Sequence, residues 1–170
     1  MVFRKTVEAD IDSIMCIIGQ AQDYMKEQGI DQWQNGYPGR EAIAKDIKNG
    51  YGYVLLMNNI IVGTVAVTFD GEKTYDRIYE GKWLSNRDYA TIHRIAVDAE
   101  YKGAGLASKI IGNIEQMCLS RDVHSIRVDT HRRNASMQRL LEKNGFLYCG
   151  IIYLDDRSER IAFEKIVSAR

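Results

Sequence analysis

The segment 90–118 constrains the fold more than any other stretch, because it combines a strand, a turn of small residues and a helix. Residues 90–97 are rich in apolar and β-branched side chains, a composition that predicts a strand. Apolar residues then recur at helical spacing, which predicts an amphipathic helix beginning near Ala104. These apolar residues are Leu106, Ile110, Ile111, Ile114, Met117 and Cys118. The chain therefore passes from strand to helix through one short turn.

The turn has the features of an anion-binding site. It contains Gly103, Ala104, Gly105 and Ala107, and such small side chains let a ligand approach the backbone. The first N–H groups of a helix have no partner within the helix, and the helix dipole favours negative charge at that end. Lys102 adds a positive charge. We therefore expect a phosphate-bearing ligand at this turn.

Two common phosphate loops do not fit the turn. It lacks the Gly-Lys-Ser/Thr ending of nucleoside triphosphatases. It also lacks the three-glycine pattern of dinucleotide-binding proteins, and a long N-terminal region precedes it. A different phosphate-bearing ligand is therefore expected.

The rest of the chain alternates between helical and strand patterns. Strands are predicted at 2–5, 51–57, 60–69, 125–131, 146–154 and 160–167, and helices at 8–28, 40–49 and 134–145. Either Thr6 or Asp10 caps the first helix, and Asn58-Asn59 predicts a two-residue hairpin turn. Residues 70–88 fit either a short helix or an ordered loop, as a candidate substrate-facing or dimer-facing insertion. With no repeat or linker, one domain is expected over residues 1–170.

The composition excludes several classes of protein. The formal net charge is zero, from 23 basic and 23 acidic residues, which argues against a nucleic-acid-binding protein. No apolar run approaches the roughly 18 residues of a membrane span, and the N-terminus lacks the apolar region of a signal peptide. We therefore expect neither a nucleic-acid partner nor a membrane partner.

The three cysteines are odd in number and far apart in sequence, so they predict neither a disulfide framework nor a metal site. Cys16 and Cys118 lie in apolar helical stretches and are expected to be buried small hydrophobic residues. Cysteines of this kind fit a reducing, cytoplasmic location. No metal cofactor is expected.

The turn resembles the acyl-CoA loop of the GNAT superfamily of N-acetyltransferases. That motif reads Arg or Gln, any two residues, Gly, any residue, and Gly or Ala, and it falls here on Lys102, Gly105 and Ala107. A second stretch, 134–146, resembles the family's closing helix, with its leading Asn134 and its Lys-x-Gly-Phe end. The order of predicted elements is similar to the family's across nearly the whole chain. Lys102 departs from the motif, because lysine keeps the charge of arginine but not its bidentate fork.

The resemblance implies both a fold and a chemistry. The implied fold is α/β (α+β), with a central mixed, mostly antiparallel sheet of about seven strands flanked by about four helices. The implied activity is transfer of an acetyl group from acetyl-CoA to a primary amine, directly in a ternary complex. No cysteine lies in the motif strands or loop, which disfavours a covalent cysteine intermediate. A homodimer is a further expectation at the level of the family.

A set of residues along the strand, turn and two helices is implied to bind the coenzyme. Backbone N–H groups near a bulge at 95–97 are expected to polarise the thioester carbonyl, and those of the turn to hold the pyrophosphate. Asn134 is expected to bond the pantetheine arm, although a helix N-cap role also explains it. The set is Ile95, Ala96, Val97, Lys102, Gly103, Ala104, Gly105, Leu106, Ala107, Ser108 and Asn134.

The reaction also needs a base, because a primary amine with a pKa near about 10 is mostly protonated at neutral pH. His93 is the candidate, since it lies two residues before Ile95 and so on the same face of the predicted strand. Similar strands of arylalkylamine acetyltransferases carry a histidine at this spacing. A structural role explains His93 equally well, and His131 is the second candidate for the base.

The acid that protonates the departing thiolate is harder to identify. Many members of the family place a tyrosine at the position of Leu141, which has no proton to donate. Tyr148 and Tyr153 follow on predicted strands. A CoA thiol with a pKa near about 8.5 can also take its proton from solvent.

The acceptor is expected to bind near the loop 29–38, which connects the first two helices. Trp33 and Tyr37 either anchor this loop on the core or form a wall of the acceptor pocket, where the family has its acceptor site. His131 is a further candidate for binding the substrate. The sequence leaves the acceptor open and favours a small amine. The alternative to an enzyme is an acyl-CoA-binding sensor or structural module with little or no catalysis.

Overall fold

A computed structural model describes residues 1–169, and this part of the chain contains seven β-strands and four α-helices. The strands are β1 (Val2–Lys5), β2 (Gly52–Met57), β3 (Ile60–Thr68), β4 (Ala90–Val97), β5 (Ser125–Thr130), β6 (Leu147–Tyr153) and β7 (Glu159–Ile166). The helices are α1 (Ile11–Glu27), α2 (Arg40–Asn49), α3 (Leu106–Ser120) and α4 (Ala135–Lys143). None of these helices is long and apolar enough to cross a membrane.

All seven strands belong to one sheet, in the order β1-β2-β3-β4-β5-β7-β6. Strand β2 is antiparallel to β1 and β3, and β7 is antiparallel to β5 and β6. Strands β4 and β5 are parallel, with Ala90 opposite Ile126 and Thr91 opposite Arg127. The predicted fold class, a mixed and mostly antiparallel sheet with four helices, is confirmed.

The chain divides into two compact units. The first comprises residues 1–67 and 93–113, and the second comprises residues 68–92 and those from 114 onward. The division falls within β4, whose beginning belongs to the second unit and whose end belongs to the first. The expectation of one domain over residues 1–170 stays a prediction.

In the first unit, the apolar faces of α1 and α2 pack on the sheet. The buried cluster there consists of Ile14, Ile17, Ile18, Ile43, Val54 and Ala96. Gly63 of β3 faces α3 so closely that a β-carbon on it would lie 2.8 Å from the Ile110 side chain. Glycine at this position therefore lets α3 approach β3. Asn58 and Asn59 have φ values of 51° and 65°, which confirms the predicted two-residue turn.

In the second unit, residues 70–88 form an ordered loop with one short 3-10 turn, Lys73–Tyr75. Tyr75 is 1% exposed and packs in a buried cluster with Ile152 and Ala162. Apolar packing therefore anchors the segment 70–88. Of the two predicted alternatives for this segment, a short helix and an ordered loop, the structure has the ordered loop.

A buried ion pair also holds this loop on the sheet. Glu164 of β7 accepts hydrogen bonds from the Ser125 and Ser85 hydroxyls at 2.6 Å and 2.7 Å, and from Arg127 at 3.3 Å. Arg127 in turn donates to the Ser85 carbonyl at 2.6 Å. Every partner in this network lies in the second unit, so the loop is fixed by polar bonds as well as by packing.

Some predicted details differ from the structure. Cys16 is exposed, so its predicted burial is wrong. It lies two residues after Ile14, which places it on the opposite side of α1 from the buried face. Cys118 is buried, as predicted. Helix α3 begins at Leu106, two residues after the predicted Ala104.

Helix α1 also begins later than predicted, after a 3-10 turn at Glu8–Asp10. Of the two predicted caps, Asp10 bonds the backbone, because its carboxylate accepts the Val7 N–H at 2.8 Å. Arg4 pairs with the same carboxylate at 2.8 Å. This pairing holds the pKa of Asp10 below its usual value.

Candidate functional site

The turn between β4 and α3 is held by α1 of the same unit. The Gln20 side-chain oxygen accepts the Ala99 N–H at 2.8 Å, and its amide lies 3.4 Å from the Asp98 carboxylate. Asp98 also accepts the Glu100 N–H at 3.0 Å. The path of the chain into the glycines is therefore fixed by side chains before any ligand binds.

Gly103 and Gly105 both adopt left-handed backbone conformations, with φ values of 85° and 74°. A β-carbon on either residue would meet no atom within 4 Å. The backbone conformation therefore demands glycine here, and the space above both residues is open to a ligand. This fits the predicted close approach of a phosphate to the backbone.

The N–H groups of the turn differ in how they are used. The Lys102 N–H donates to the Ala99 carbonyl at 3.2 Å, and the Ala104 N–H donates to the Tyr101 carbonyl at 3.1 Å. At the start of α3, the Lys109 N–H donates to the Gly105 carbonyl at 3.1 Å. The first N–H groups of a helix point away from its carbonyls, so the start of α3 is the part of the turn best suited to an anion.

Lys102 is exposed and lies beside α1. Its ammonium nitrogen is 4.7 Å from the centre of the Tyr24 ring, within the range of a cation–π contact. The predicted phosphate anchor therefore has an aromatic support from the same helix that holds residues 98 and 99.

His93 and Ile95 flank an irregularity in β4. Arg94, between them, has a φ of 51°, which interrupts the regular pleat as a β-bulge does. The bulge predicted near 95–97 is thus represented by a left-handed residue just before them. Simple alternation does not extend through such a residue, so a shared face for His93 and Ile95 stays a prediction.

The environment of His93 keeps its imidazole neutral. Burial lowers the pKa of His93 to about 4, and the charge of Arg94 acts in the same direction, whereas Asp46 acts in the opposite direction. A neutral imidazole has one ring nitrogen that can accept a proton. With a pKa of about 4, the ring is a weak base, and once protonated it would lose that proton again at neutral pH.

Arg94 is bonded on two sides. Its Nε and Nη2 donate to the two carboxylate oxygens of Asp46 at 3.0 Å and 2.6 Å. Its Nη1 donates to the Tyr37 hydroxyl at 3.0 Å. The Arg94 and Asp46 side chains are only 17% and 8% exposed. We call Asp46, Arg94 and Tyr37 the β4 clamp.

The two aromatic residues of the predicted acceptor loop have different surroundings. Trp33 is partly buried and packs on the apolar cluster of the first unit. Tyr37 is 49% exposed and is held through its hydroxyl. Gln22 of α1 donates to the Tyr37 and Pro38 carbonyls at 2.9 Å and 3.4 Å. Anchoring on the core, one of the two predicted roles, therefore describes Trp33 better than Tyr37.

The remaining predicted residues belong to the second unit. The His131 Nδ1 accepts the Arg133 N–H at 3.0 Å. The Asn134 side-chain oxygen accepts the Met137 N–H at 3.2 Å, which makes Asn134 the N-cap of α4. Leu141 is fully buried, so the position where many relatives have a tyrosine is part of the core here. A contact of Asn134 or His131 with a ligand stays a prediction.

Two of the thiols are buried, and the acidic side chains of the described residues form no group that could hold a metal ion. Burial raises the pKa of Cys118 to about 12 and that of Cys149 to about 11, so both thiols are protonated at neutral pH. Among residues 1–169, no group of three or more His, Cys, Asp or Glu side chains is placed to hold a metal ion.

Four supporting residues were not identified from the sequence: Gln20, Tyr24, Asp46 and Arg94. Asp46 occupies the inward face of α2, three residues after the buried Ile43. Arg94 interrupts an apolar strand. Each of these two apolar patterns thus contains one charged residue. Unpaired charges are rarely buried, so the two patterns together indicate that Asp46 and Arg94 form a pair. Gln20 and Tyr24 carry no such signal.

The sheet and the glycine turn between β4 and α3 have the arrangement that the resemblance in the sequence implies. The Acetyltransferase (GNAT) family model matches residues 18–146. A crystal structure of a GNAT-family acetyltransferase from Streptococcus agalactiae is 37% identical in sequence, with a TM-score of 0.90 over 99% of this chain and 96% of that one. The chain therefore belongs to the GNAT family and is an acetyltransferase, as the resemblance in its sequence predicts.

More distant structures share the fold alone. A GNAT-family acetyltransferase from Listeria monocytogenes is 19% identical, with a TM-score of 0.73 over 97% of this chain and 94% of that one. A ribosomal-protein-alanine N-acetyltransferase from Brucella melitensis is 17% identical, with a TM-score of 0.70 over 98% and 99%. A comparison with curated proteins found no match.

Proposed function

We propose that this chain is a cytoplasmic N-acetyltransferase that moves an acetyl group from acetyl-CoA to a primary amine by direct transfer in a ternary complex. The observation that carries the proposal is the open, left-handed Gly103 and Gly105 at the start of α3. The GNAT family uses acetyl-CoA as its cosubstrate, and the match over residues 18–146 supports the same donor here.

The residues at the turn fit the pyrophosphate of the coenzyme. The N–H groups at 105–108 begin a helix and so favour a phosphate. Lys102 supplies a nearby positive charge, and the Ser108 hydroxyl lies in the first turn of α3. The chemistry supplied by bound acetyl-CoA is an activated acyl thioester. The chain's own part is to hold the donor and to leave the space above its glycines open.

Two further tasks fall to β4. Among Ile95, Ala96 and Val97, the backbone N–H groups that face the ligand stabilise the negative charge that develops on the thioester oxygen. His93 is neutral because its pKa is lowered to about 4, and it takes a proton from the amine nitrogen as that nitrogen bonds to the thioester carbon and becomes acidic, then passes the proton to solvent. Solvent also supplies the proton for the departing thiolate, since Leu141 is buried and has no proton to donate.

The acceptor site lies at the loop of Trp33 and Tyr37 in this proposal. The exposed ring of Tyr37 is available to a cationic or apolar group, whereas Trp33 supports the loop from the core side. The proposed acceptor is a small amine.

The experiment that tests the proposal is release of CoA thiol when the protein is mixed with acetyl-CoA and a panel of amines. The panel should contain aliphatic monoamines, polyamines, aminoglycosides and peptide N-termini. Thiol release above the amine-free rate is expected for at least one class, with the acetylated amine found by mass spectrometry. Tight acetyl-CoA binding with no acetylated product from any class would contradict the enzymatic part of the proposal and favour an acyl-CoA sensor.

A further inference from the structure

The β4 clamp contains Arg94, the only charged residue of β4. Two separate parts of the chain bond its side chain. Asp46 comes from α2, and Tyr37 comes from the loop between α1 and α2. The pair of Arg94 and Asp46 is bidentate, with Nε–Oδ2 and Nη2–Oδ1 distances of 3.0 Å and 2.6 Å. Bidentate guanidinium–carboxylate pairs fix orientation as well as distance. Arg94 therefore has a single side-chain direction imposed on it.

The backbone of Arg94 is in a conformation that arginine does not favour. Its φ of 51° lies in the left-handed region, where a side chain crowds the following carbonyl. A residue keeps such a conformation only when its surroundings hold it there. The Arg94 side chain is held by its hydrogen bonds to Asp46 and Tyr37. The clamp therefore acts at the residue where β4 is irregular.

The irregularity decides where the next peptide groups point. In a regular strand, successive N–H groups alternate in direction, and a left-handed residue resets that alternation for the residues after it. The residues directly after Arg94 are Ile95, Ala96 and Val97. The conformation of Arg94 therefore influences which way the N–H groups of these three residues point.

We propose that the β4 clamp is a positioning device for acetyl transfer: Asp46 and Tyr37 hold Arg94 in its left-handed conformation, and Arg94 thereby sets which of the N–H groups at 95–97 face the ligand and bind the thioester oxygen. This inference rests on the proposed function, because it assigns those N–H groups to acetyl-CoA. It adds Asp46 and Arg94 as positioning residues that touch neither substrate nor reacting atoms. It also joins the acceptor loop to the donor strand, since Tyr37 of the loop accepts a hydrogen bond from Arg94 of β4.

A matched pair of double variants tests the inference. Arg94→Gly with Asp46→Asn and Arg94→Val with Asp46→Asn both remove the clamp and leave no unpaired buried carboxylate. They differ in backbone preference, because glycine adopts a φ of 51° freely whereas a β-branched residue strongly resists it. Thermal unfolding and circular dichroism show whether each variant is folded.

The readout is the chemical shift of the thioester carbonyl, measured by NMR with a carbon-13-labelled acetyl group on acetyl-CoA bound to the protein. Hydrogen bonds to the carbonyl oxygen move this resonance downfield of free acetyl-CoA, and no acceptor amine is required. We expect the downfield shift in the wild type, most of it in the glycine variant and none in the valine variant. With an accepted amine, kcat should fall about 100-fold in the valine variant and within about fivefold in the glycine variant.

The outcomes separate this inference from the proposed function. A wild-type protein that does not bind acetyl-CoA contradicts the proposed function itself. A wild type that binds and shifts the carbonyl, together with a valine variant that does the same, overturns the clamp alone. Equal loss of the shift in both variants overturns the backbone route from Arg94 to residues 95–97. Should the valine variant fail to fold, Arg94→Ala takes its place, since alanine also disfavours positive φ but lacks the β-branch.

Discussion

Each unit contains one arginine–carboxylate pair with little exposure, and the two pairs have different surroundings. Arg127 and Glu164 are 7% and 0% exposed, and the Arg127 guanidinium lies 4.2 Å and 4.1 Å from the ring centres of Trp83 and Tyr89. Arg94 and Asp46 are somewhat more exposed and continue to the half-exposed Tyr37. The first pair is enclosed on all described sides, whereas the second leads to the surface.

The backbone at the two arginines differs as well. Arg127 pairs in register with Glu164 across β5 and β7, whereas Arg94 has a positive φ. A pair in a regular ladder adds stability to a structure that the sheet already specifies, and a pair at a strained residue maintains a conformation that would otherwise relax. We therefore expect changes to the Arg127 pair to alter stability alone. Changes near β4 and α3 should alter acetyl-CoA binding and turnover with smaller effects on stability.

The largest expected effect is that of Glu164→Gln on stability. It should lower the free energy of unfolding by about 3 to 5 kcal/mol, because it leaves the buried Arg127 without its counter-charge. Urea denaturation measures this, and the affinity of the remaining folded protein for acetyl-CoA should not change. The matched control is Glu159→Gln on the same strand, whose pair with Arg132 is exposed and should contribute less than about 1 kcal/mol. Equal losses from the two substitutions would contradict the special role given to burial.

The next effect is the loss of donor binding in Gly105→Glu. We expect acetyl-CoA affinity to fall at least about 100-fold, or about 2.7 kcal/mol. The reason is that the glutamate carboxylate would occupy the open space beside residue 105, where the phosphate is proposed to bind. Stability should fall by only about 1 to 2 kcal/mol from the positive φ. Isothermal titration calorimetry measures the affinity.

Gly112→Glu is the matched control, since Gly112 lies in α3 with open space around it but an ordinary φ. Unchanged affinity in Gly105→Glu would remove the turn from the donor site.

The third effect is a loss of rate in His93→Gln that depends on pH. At pH 7 we expect kcat/KM to fall about 10- to 100-fold, with the loss shrinking toward pH 10 as the free amine becomes abundant. Because the pKa of His93 is lowered to about 4, the ring is neutral from pH 5 upward. The wild-type profile should therefore show no acid limb near about 6.5, the ordinary pKa of histidine. His124→Gln, at an exposed histidine paired with Asp122, is the control. A loss that does not vary with pH would exclude His93 as the base.

Local periodicity and turn chemistry account for the parts of this fold that could be predicted. The Asn58-Asn59 turn, the helix from Arg40 to Asn49 and the strand from Ala90 to Val97 depend mainly on neighbouring residues, and the structure has them at the predicted places. The glycine turn could be recognised for the same reason, since Gly103 and Gly105 satisfy a local backbone requirement.

Contacts between residues far apart in sequence account for what could not be predicted. The loop at 70–88 has no strong period of its own, and its order depends on Glu164, which lies about eighty positions further along the chain. The bond between Arg94 and Asp46 spans 48 positions, and no local pattern predicts that pairing. The prediction that Cys16 is buried was wrong, because an apolar stretch of helix does not by itself show which face is inward. Sequence patterns thus locate the elements, and the supports of the site come from tertiary packing.

The smallest expected effect is that of Tyr37→Phe, and it tests how the clamp reaches the acceptor loop. The substitution removes one hydroxyl that accepts a hydrogen bond from Arg94 and leaves the ring in place. Because Tyr37 is half-exposed, stability should change by less than about 0.5 kcal/mol. The KM for the amine should rise about three- to tenfold, since the loop loses its tie to β4. The kcat should fall by less than about threefold, because Asp46 still holds Arg94, and the acetyl-CoA affinity should stay the same. Tyr79→Phe, at a similarly exposed tyrosine of the second unit, should leave all three quantities unchanged. An effect of Tyr37→Phe on kcat alone would place Tyr37 with the donor strand and not with the acceptor, and would contradict its assignment to the acceptor site.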